Sequence, residues 1–311
     1  MPSSLDKAAR TLIARFRRQR PLRGGSLLVT MFGDSIAPRG GAITLGSLIQ
    51  LAQPFGLTER LVRTSAARLA QEDWLASRRS GAFSEYSLSA NGQQRFAEAT
   101  RRIYGMNEHA WRGQWTLVAL PDAGAAERQR LRQELQLAGF GEPSAGLFAH
   151  PTFTPAQARE QLQLAGSTQE CLILEATADD AEINAHMVRS GWDLADLGVR
   201  YRRFVRAFEA VHQALQDDAP CEPATGFAIR TLLIHEYRKI HLRDPLLPQN
   251  LLPADWIGGT ADKLCRDIYA QVFAAAEMHL ASVGVRLGGA LPAAKAETYR
   301  RFGGLPRQPG G

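Results

Sequence analysis

One stretch, from Thr44 to Leu88, leaves few folds open. LGSLIQLAQPF carries apolar residues at 45, 48, 49 and 51, and Thr44 stands where an N-cap hydroxyl belongs. Pro54 and Gly56 end that helix, and Thr58 caps a second one, ERLVRTSAARLAQEDWL. Helix, glycine-containing turn, helix is the outline of a helix-turn-helix. On the second helix Val62, Ala66 and Leu69 form one apolar stripe, with Arg60, Arg63, Thr64, Ala67 and Arg68 on the opposite face. A short, polar, arginine-bearing face suits the major groove of DNA, where Arg pairs bidentately with guanine and Thr meets bases or a thymine methyl. WLASRRSGAFSEYSLS then reads as a hairpin: Leu75 leads one strand, Tyr86 and Leu88 alternate on the other, and Ser80-Gly81 is the expected turn with Arg78 and Arg79 at its tip. A basic hairpin directly after such a helix is a wing, whose arginines reach phosphates or the adjacent minor groove. The expected DNA-facing residues are therefore Thr58, Arg60, Arg63, Thr64, Arg68, Arg78 and Arg79.

Charge supports this placement. The 311-residue chain carries a net +6, but unevenly: residues 1–102 hold 16 basic and 7 acidic groups, the remainder 21 basic and 24 acidic. A basic N-terminal part beside a slightly acidic remainder points to a polyanionic partner at that end. Arg outnumbers Lys 33 to 4, which a GC-rich genome produces without selection for phosphate contacts. Residues 5–20 read as an amphipathic helix with Leu5, Ala9, Leu12, Ile13 and Phe16 on one face and arginines crowding its C-terminal half. A strut and a DNA contact are equally expected of it. Its apolar face is short and lacks Trp, which disfavours a membrane surface.

The middle region changes period. WTLVALP (115–121) reads as a strand, AGAAERQRLRQELQLAG as a helix closed by Gly139, SAGLFAHP as a short strand, TPAQAREQLQLAG as a helix with Thr154 as cap, and ECLILEATA as a buried strand. With one more strand near 139–145 the order is β-α-β-β-α-β, a ferredoxin-like domain. The C-terminal part is helical over 196–216, 224–243 and about 259–284, and the Gly- and Pro-bearing tail from Gly288 is expected to lack structure.

Other chemistries are disfavoured. No run of eighteen apolar residues exists, and the arginine-rich N-terminus lacks a signal-peptide core. Cys171, Cys221 and Cys265 are odd in number, far apart and outside any C-x-x-C pair, so neither a disulfide framework nor a thiolate zinc site is expected, and a reducing cytoplasm fits. His235, Glu236, His241 and Asp244 invite a metal reading, but the two histidines are six apart where a helical zinc motif needs four. Hydrogen bonding along a buried helix is the expected role. No catalytic residue, metal site or cofactor emerges.

Three stretches together resemble the PaaX family, bacterial repressors of phenylacetic acid degradation operons. They are GLTERLVRTSAARLAQEDWL, the hairpin RRSGAFSEYSLSANGQQRF, and HEYRKIHLRDPLLPQNLLPADWIG, the last being the most specific. The resemblance runs from about Ser26 to about Gly284. It implies an α+β multidomain chain: an N-terminal winged helix-turn-helix, a central ferredoxin-like domain similar to Cas2 proteins, and a helical C-terminal domain. It also implies a cytoplasmic homodimer that binds double-stranded operator DNA and is released by phenylacetyl-CoA. The expected divisions are a basic helix at 1–22, the DNA-binding domain at 23–105, the central domain at 114–180, the helical domain at 185–285 and a disordered tail at 286–311. Arg238, Lys239 and Arg243, with Trp256 near Leu246 and Leu247, combine cations and apolar groups in one segment and are the expected meeting place for an acyl-CoA effector. The alternatives are a related regulator answering to another acyl-CoA or aromatic ligand and, less favoured, a metal-dependent nuclease built on the central domain. Cas2 nucleases place an Asp after the first strand. Asp122 stands there without a second acidic partner and reads as a helix cap or turn residue.

Overall fold

Fourteen residues, Ser4–Arg17, open the chain as α1 behind a capping box in which Ser3 and Asp6 satisfy each other's backbone N–H. The computed structural model describes residues 3–22, 24–105, 111–121, 124–167, 170–178, 180–217 and 220–305. By its internal contacts the chain divides into two compact units. One comprises Met1–Met106, Tyr201–Leu242 and Gly258–Gly311; the other comprises Asn107–Arg200 and Arg243–Ile257.

In the first unit α2 (Gly24–Met31) runs on through a π-helical turn (Phe32–Ile36) and a short 3-10 turn. Gly40 and Gly41, both at positive φ, reverse the chain into β1 (Ala42–Thr44). Thr44 caps α3 (Leu45–Ala52), and after the turn at Gly56 (φ +79°) Thr58 caps α4 (Glu59–Gln71). Strands β2 (Leu75–Ser80) and β3 (Phe83–Leu88) form the hairpin, and α5 (Ala90–Tyr104) follows behind its Ser89 cap. β1 pairs with β3, so the sheet has the order β1-β3-β2. The turn is Gly81-Ala82, since Ser80 pairs with Phe83; Arg78 and Arg79 thus lie within β2, opposite Glu85 and Ser84.

The second unit holds β4 (Gln114–Ala119), α6 (Ala125–Leu137), β5 (Gly141–Ser144), β6 (Leu147–His150), α7 (Pro155–Leu164) and β7 (Leu172–Thr177), in sheet order β5-β6-β4-β7 with every pair antiparallel. Val118, Leu131, Leu135, Phe140, Phe148, Ala158 and Leu162 form the core between sheet and helices. On another side Trp115, Ala149, Val188 of α8 (Ala181–Gly191), Leu247 and Leu251 make a second cluster, and the Trp115 indole N–H donates to Asn184 at 2.7 Å. Gly141 is glycine because Trp192 lies against it: a Cβ there would sit 2.5 Å from the indole. Strand β7 departs from the expectation of burial. It is an edge strand, with Leu172 59% and Leu174 47% exposed. Asp122 lies outside the described residues.

α9 (Leu194–Gln216), α10 (Pro223–His241) and α11 (Gly258–Val283) supply the remaining long helices. Tyr201, Phe204, Phe208 and Val211 are buried along α9 at helical spacing. By their contacts the helices over 185–285 divide between the two units, with α10 packing against α1, α2 and α11 in the first. The tail also departs from expectation. β8 (Val285–Arg286) and β9 (Gly289–Ala290) form a small hairpin, and a 3-10 segment, Ala296–Gly303, buries Thr298, Arg301 and Phe302. Its Gly and Pro residues shape turns, and buried side chains anchor it. Residues 306–311 lie outside the described residues.

Candidate nucleic-acid interface

α4 divides its residues cleanly. Val62, Ser65, Ala66 and Leu69 are buried, while Thr58, Arg60, Arg63, Thr64 and Arg68 are exposed. The packing reason is the apolar stripe: α4 rests on α2 and α3 and leaves its polar side to solvent. Two of the arginines are held by carboxylates of the same helix turn. Glu59 accepts from Arg63 Nε at 2.8 Å, and Arg68 lies 3.6 Å from Glu72. Such exposed pairs contribute only about 0.3–0.5 kcal/mol, so a phosphate or a guanine edge can replace them. Thr64 turns its hydroxyl back to the Arg60 carbonyl at 2.9 Å, and Thr58 Oγ1 accepts the Leu61 N–H at 3.3 Å. Arg78 and Arg79 are exposed along β2. Sequence reasoning missed Phe83, which stands 64% exposed beside the hairpin turn; the Gly81-Ala82 turn and strand alternation were the signals for it.

The scaffold behind this face is tied together from distant parts of the chain. α1 buries Leu5, Ala9, Leu12 and Phe16, and Phe16 meets both Phe55 and His235 edge-on. Arg17 donates to the Pro54 carbonyl at 2.8 Å, so the N-terminal helix braces the turn between α3 and α4. A buried ionic network lies beneath α5. Asp34 accepts from Arg230 Nε (2.8 Å), Arg301 Nη1 (3.0 Å), Tyr104 Oη (2.7 Å) and Tyr269 Oη (2.9 Å). Burial alone would raise the Asp34 pKa, but Arg230, Arg301 and the two phenols outweigh it and hold the carboxyl below its ordinary range. Glu277 pairs with both Arg230 and Arg39; burial, then Arg230, lowers Arg39 to about 10.

The tail reaches the same scaffold. Ser47 on α3 accepts the Val285 N–H at 3.0 Å and donates to the Val283 carbonyl at 2.9 Å, and Glu85 on β3 accepts the Leu287 N–H at 2.6 Å.

His235 is fully buried, with Nδ1 3.0 Å from Thr30 Oγ1; burial, then Lys239 and Arg238, pushes its pKa well below the ordinary imidazole value. His241 stacks on Tyr237 and lies 3.0 Å from the Arg102 carbonyl. Both histidines serve the helix core. The four expected effector residues fall in different units. Arg238 donates to Ser26 and Thr30, and Lys239 to Glu236 at 2.9 Å, in the first; Arg243, exposed, and Trp256, half-buried, belong to the second.

Comparison with known proteins matches three family models in succession: PaaX-like protein over residues 23–92, PaaX protein central Cas2-like domain over 108–188, and PaaX-like protein C-terminal domain over 192–282. The chain is also 37% identical over 289 residues to the transcriptional repressor PaaX of Escherichia coli, covering 92% of each. This chain belongs to the PaaX family. Its mixed α/β architecture follows the PaaX order of N-terminal, Cas2-like central and helical C-terminal parts. An uncharacterized protein from Mycobacterium tuberculosis shares the fold, with a TM-score of 0.53 and 22% identity over 80% of this chain and 96% of its own. Among the described residues no helix is long and apolar enough to cross a membrane.

Proposed function

We propose that this PaaX-family protein is a transcriptional repressor of phenylacetic acid catabolism genes. In this reading it is a cytoplasmic homodimer, not an enzyme, and phenylacetyl-CoA releases it from operator DNA. The observation that carries the reading is the exposed Thr58, Arg60, Arg63, Thr64 and Arg68 face of α4 beside the basic β2–β3 hairpin. It stands in a chain that aligns over 92% of its length with a repressor. We read α3 and α4 as the helix-turn-helix, α4 as the recognition helix and the hairpin as a wing. Arg60, Arg63, Thr64 and Arg68 then meet base edges, while Thr58 at the helix start and Arg78 and Arg79 on the wing face the backbone.

We read the second unit as ferredoxin-like from its β-α-β-β-α-β order. Its edge strand β7, with Leu172 and Leu174 exposed, supports pairing with a second copy, because an unpaired apolar edge is otherwise an aggregation liability. Two α4 helices would then enter successive major grooves of a pseudo-palindrome. The test is fluorescence anisotropy on the DNA upstream of the protein's own operon. Binding that weakens steeply with salt and is tighter than on random DNA supports the reading; equal affinity for both sequences contradicts it.

A further inference from the structure

We propose that the cleft beneath the C-terminal strap, residues 285–305, binds an organic anion with an apolar body. The proposal rests on the reading of the chain as a ligand-released DNA-binding regulator and gives that ligand a site. The cleft lies within the first unit and has a volume of about 580 Å³. Its walls come from four segments: the loop through Pro38 and Gly41, the end of β3, one face of α5, and the strap. Leu88, Phe96, Ala97 and Pro38 make it largely apolar, which suits an aromatic or alkyl body.

The charged groups stand on the strap. Lys295 is exposed at the lining and makes no ion pair among the described residues, although its backbone N–H donates to the Pro38 carbonyl at 3.0 Å. Arg286 reaches the same mouth: its Nη1 lies 3.9 Å from where a Cβ on Gly40 would be. Glu297 also lines the cleft, and Arg301 is committed to Asp34. Among the described residues neither Lys295 nor Arg286 makes an ion pair, and two such cations against one carboxylate favour an anion at the mouth, with the apolar body directed inward.

Location gives the site a consequence. The Leu88 N–H donates to the Gly41 carbonyl at 3.0 Å, so the loop on one side of the cleft holds the end of β3 on the other. β3 is the central strand of the sheet that carries Arg78 and Arg79. A ligand seated between loop, strand and strap therefore bears on the hairpin's position relative to α4. Its effect on DNA binding is set by any difference in its affinity for the DNA-bound and the free protein.

The test uses the full chain and 8-anilinonaphthalene-1-sulfonate, an aromatic organic anion, read by its fluorescence. The expected result is saturable binding weakened at least tenfold by Lys295→Glu, a surface charge reversal that leaves the core intact. Ala97→Trp, which fills the cleft from the exposed side of α5, should weaken it as much, and Arg78→Ala not at all. Circular dichroism checks the fold of each variant. Binding that ignores both Lys295→Glu and Ala97→Trp places the probe elsewhere and overturns the proposal. The same proteins are run on the upstream DNA, so the two readings fail separately. Specific DNA binding with a cleft-independent probe sinks the cleft alone. Cleft-dependent probe binding without specific DNA binding upholds the site and sinks the regulator reading on which its function rests.

Discussion

Arg301 Nη1 lies 3.0 Å from Asp34 Oδ1, joining the last described turn of the chain to the π-helical turn that precedes β1. Both side chains are buried, and the same Nη1 reaches the Tyr269 hydroxyl at 2.7 Å. The strap is thereby part of the unit that bears the arginine face. Arg301→Ala leaves a buried carboxylate short of a partner, and breaking such a pair costs about 3–5 kcal/mol. Urea unfolding should show a loss of that size. A loss below about 1 kcal/mol would mean that Arg230 and the two tyrosines satisfy Asp34 unaided.

Stability should fall as pH drops below about 6.5, because His235 is neutral in the fold. Its pKa is depressed by burial, then by Lys239 and Arg238, so below the ordinary value of about 6.5 the unfolded chain binds a proton that the folded chain does not. The His235 contribution is complete above that pH and declines by up to about 1.4 kcal/mol per unit on acidification, until the folded pKa is reached. His235→Gln should flatten the slope between pH 6.5 and 5. Asp34 adds its own loss only below about pH 4, since its folded pKa is lowered too. An unchanged slope in the variant would assign the acid sensitivity to other groups.

Arg63→Ala should weaken operator binding by about 1–3 kcal/mol if Arg63 reads a guanine, and weaken random DNA much less. The free protein loses little, since the Arg63–Glu59 pair is exposed. Equal losses on both DNAs would make Arg63 a phosphate contact. Arg79→Ala, on the hairpin, should weaken both equally and reduce the salt slope by about one.

Leu174→Asp places a charge on the exposed face of the β7 edge. If copies pair through this edge as proposed, sedimentation should show the variant as a monomer with its fold intact, because Leu174 is 47% exposed and contributes little to the core. A dimer indifferent to this substitution would put the interface elsewhere.

Much of this was legible in the sequence where local pattern and tertiary packing agree. The Val62, Ala66 and Leu69 stripe is buried as its spacing required, and Thr44, Thr58 and Thr154 all cap helices. Three features were not. β1 is three residues long behind two glycines, too short for any periodicity, and exists because β3 offers it an edge. LILEA in β7 reads as buried because an apolar run looks alike at the centre of a sheet and at its edge. The strap reads as a tail by composition, yet Arg301 finds Asp34 at a separation of 267 residues, which no local signal encodes. The partners of Arg238 and Lys239 were hidden for a similar reason: both look free on a helix map, but Ser26, Thr30 and Glu236 engage them.

In the proposed function the α4 face and its hairpin bind operator DNA, and an aryl-acyl thioester releases them. Anisotropy on the upstream DNA, with and without phenylacetyl-CoA, is the decisive measurement. The expected result is tight, salt-sensitive binding that phenylacetyl-CoA abolishes and free phenylacetate does not. Absence of binding at low salt would contradict the DNA-binding reading, and tight binding indifferent to the thioester would contradict the release.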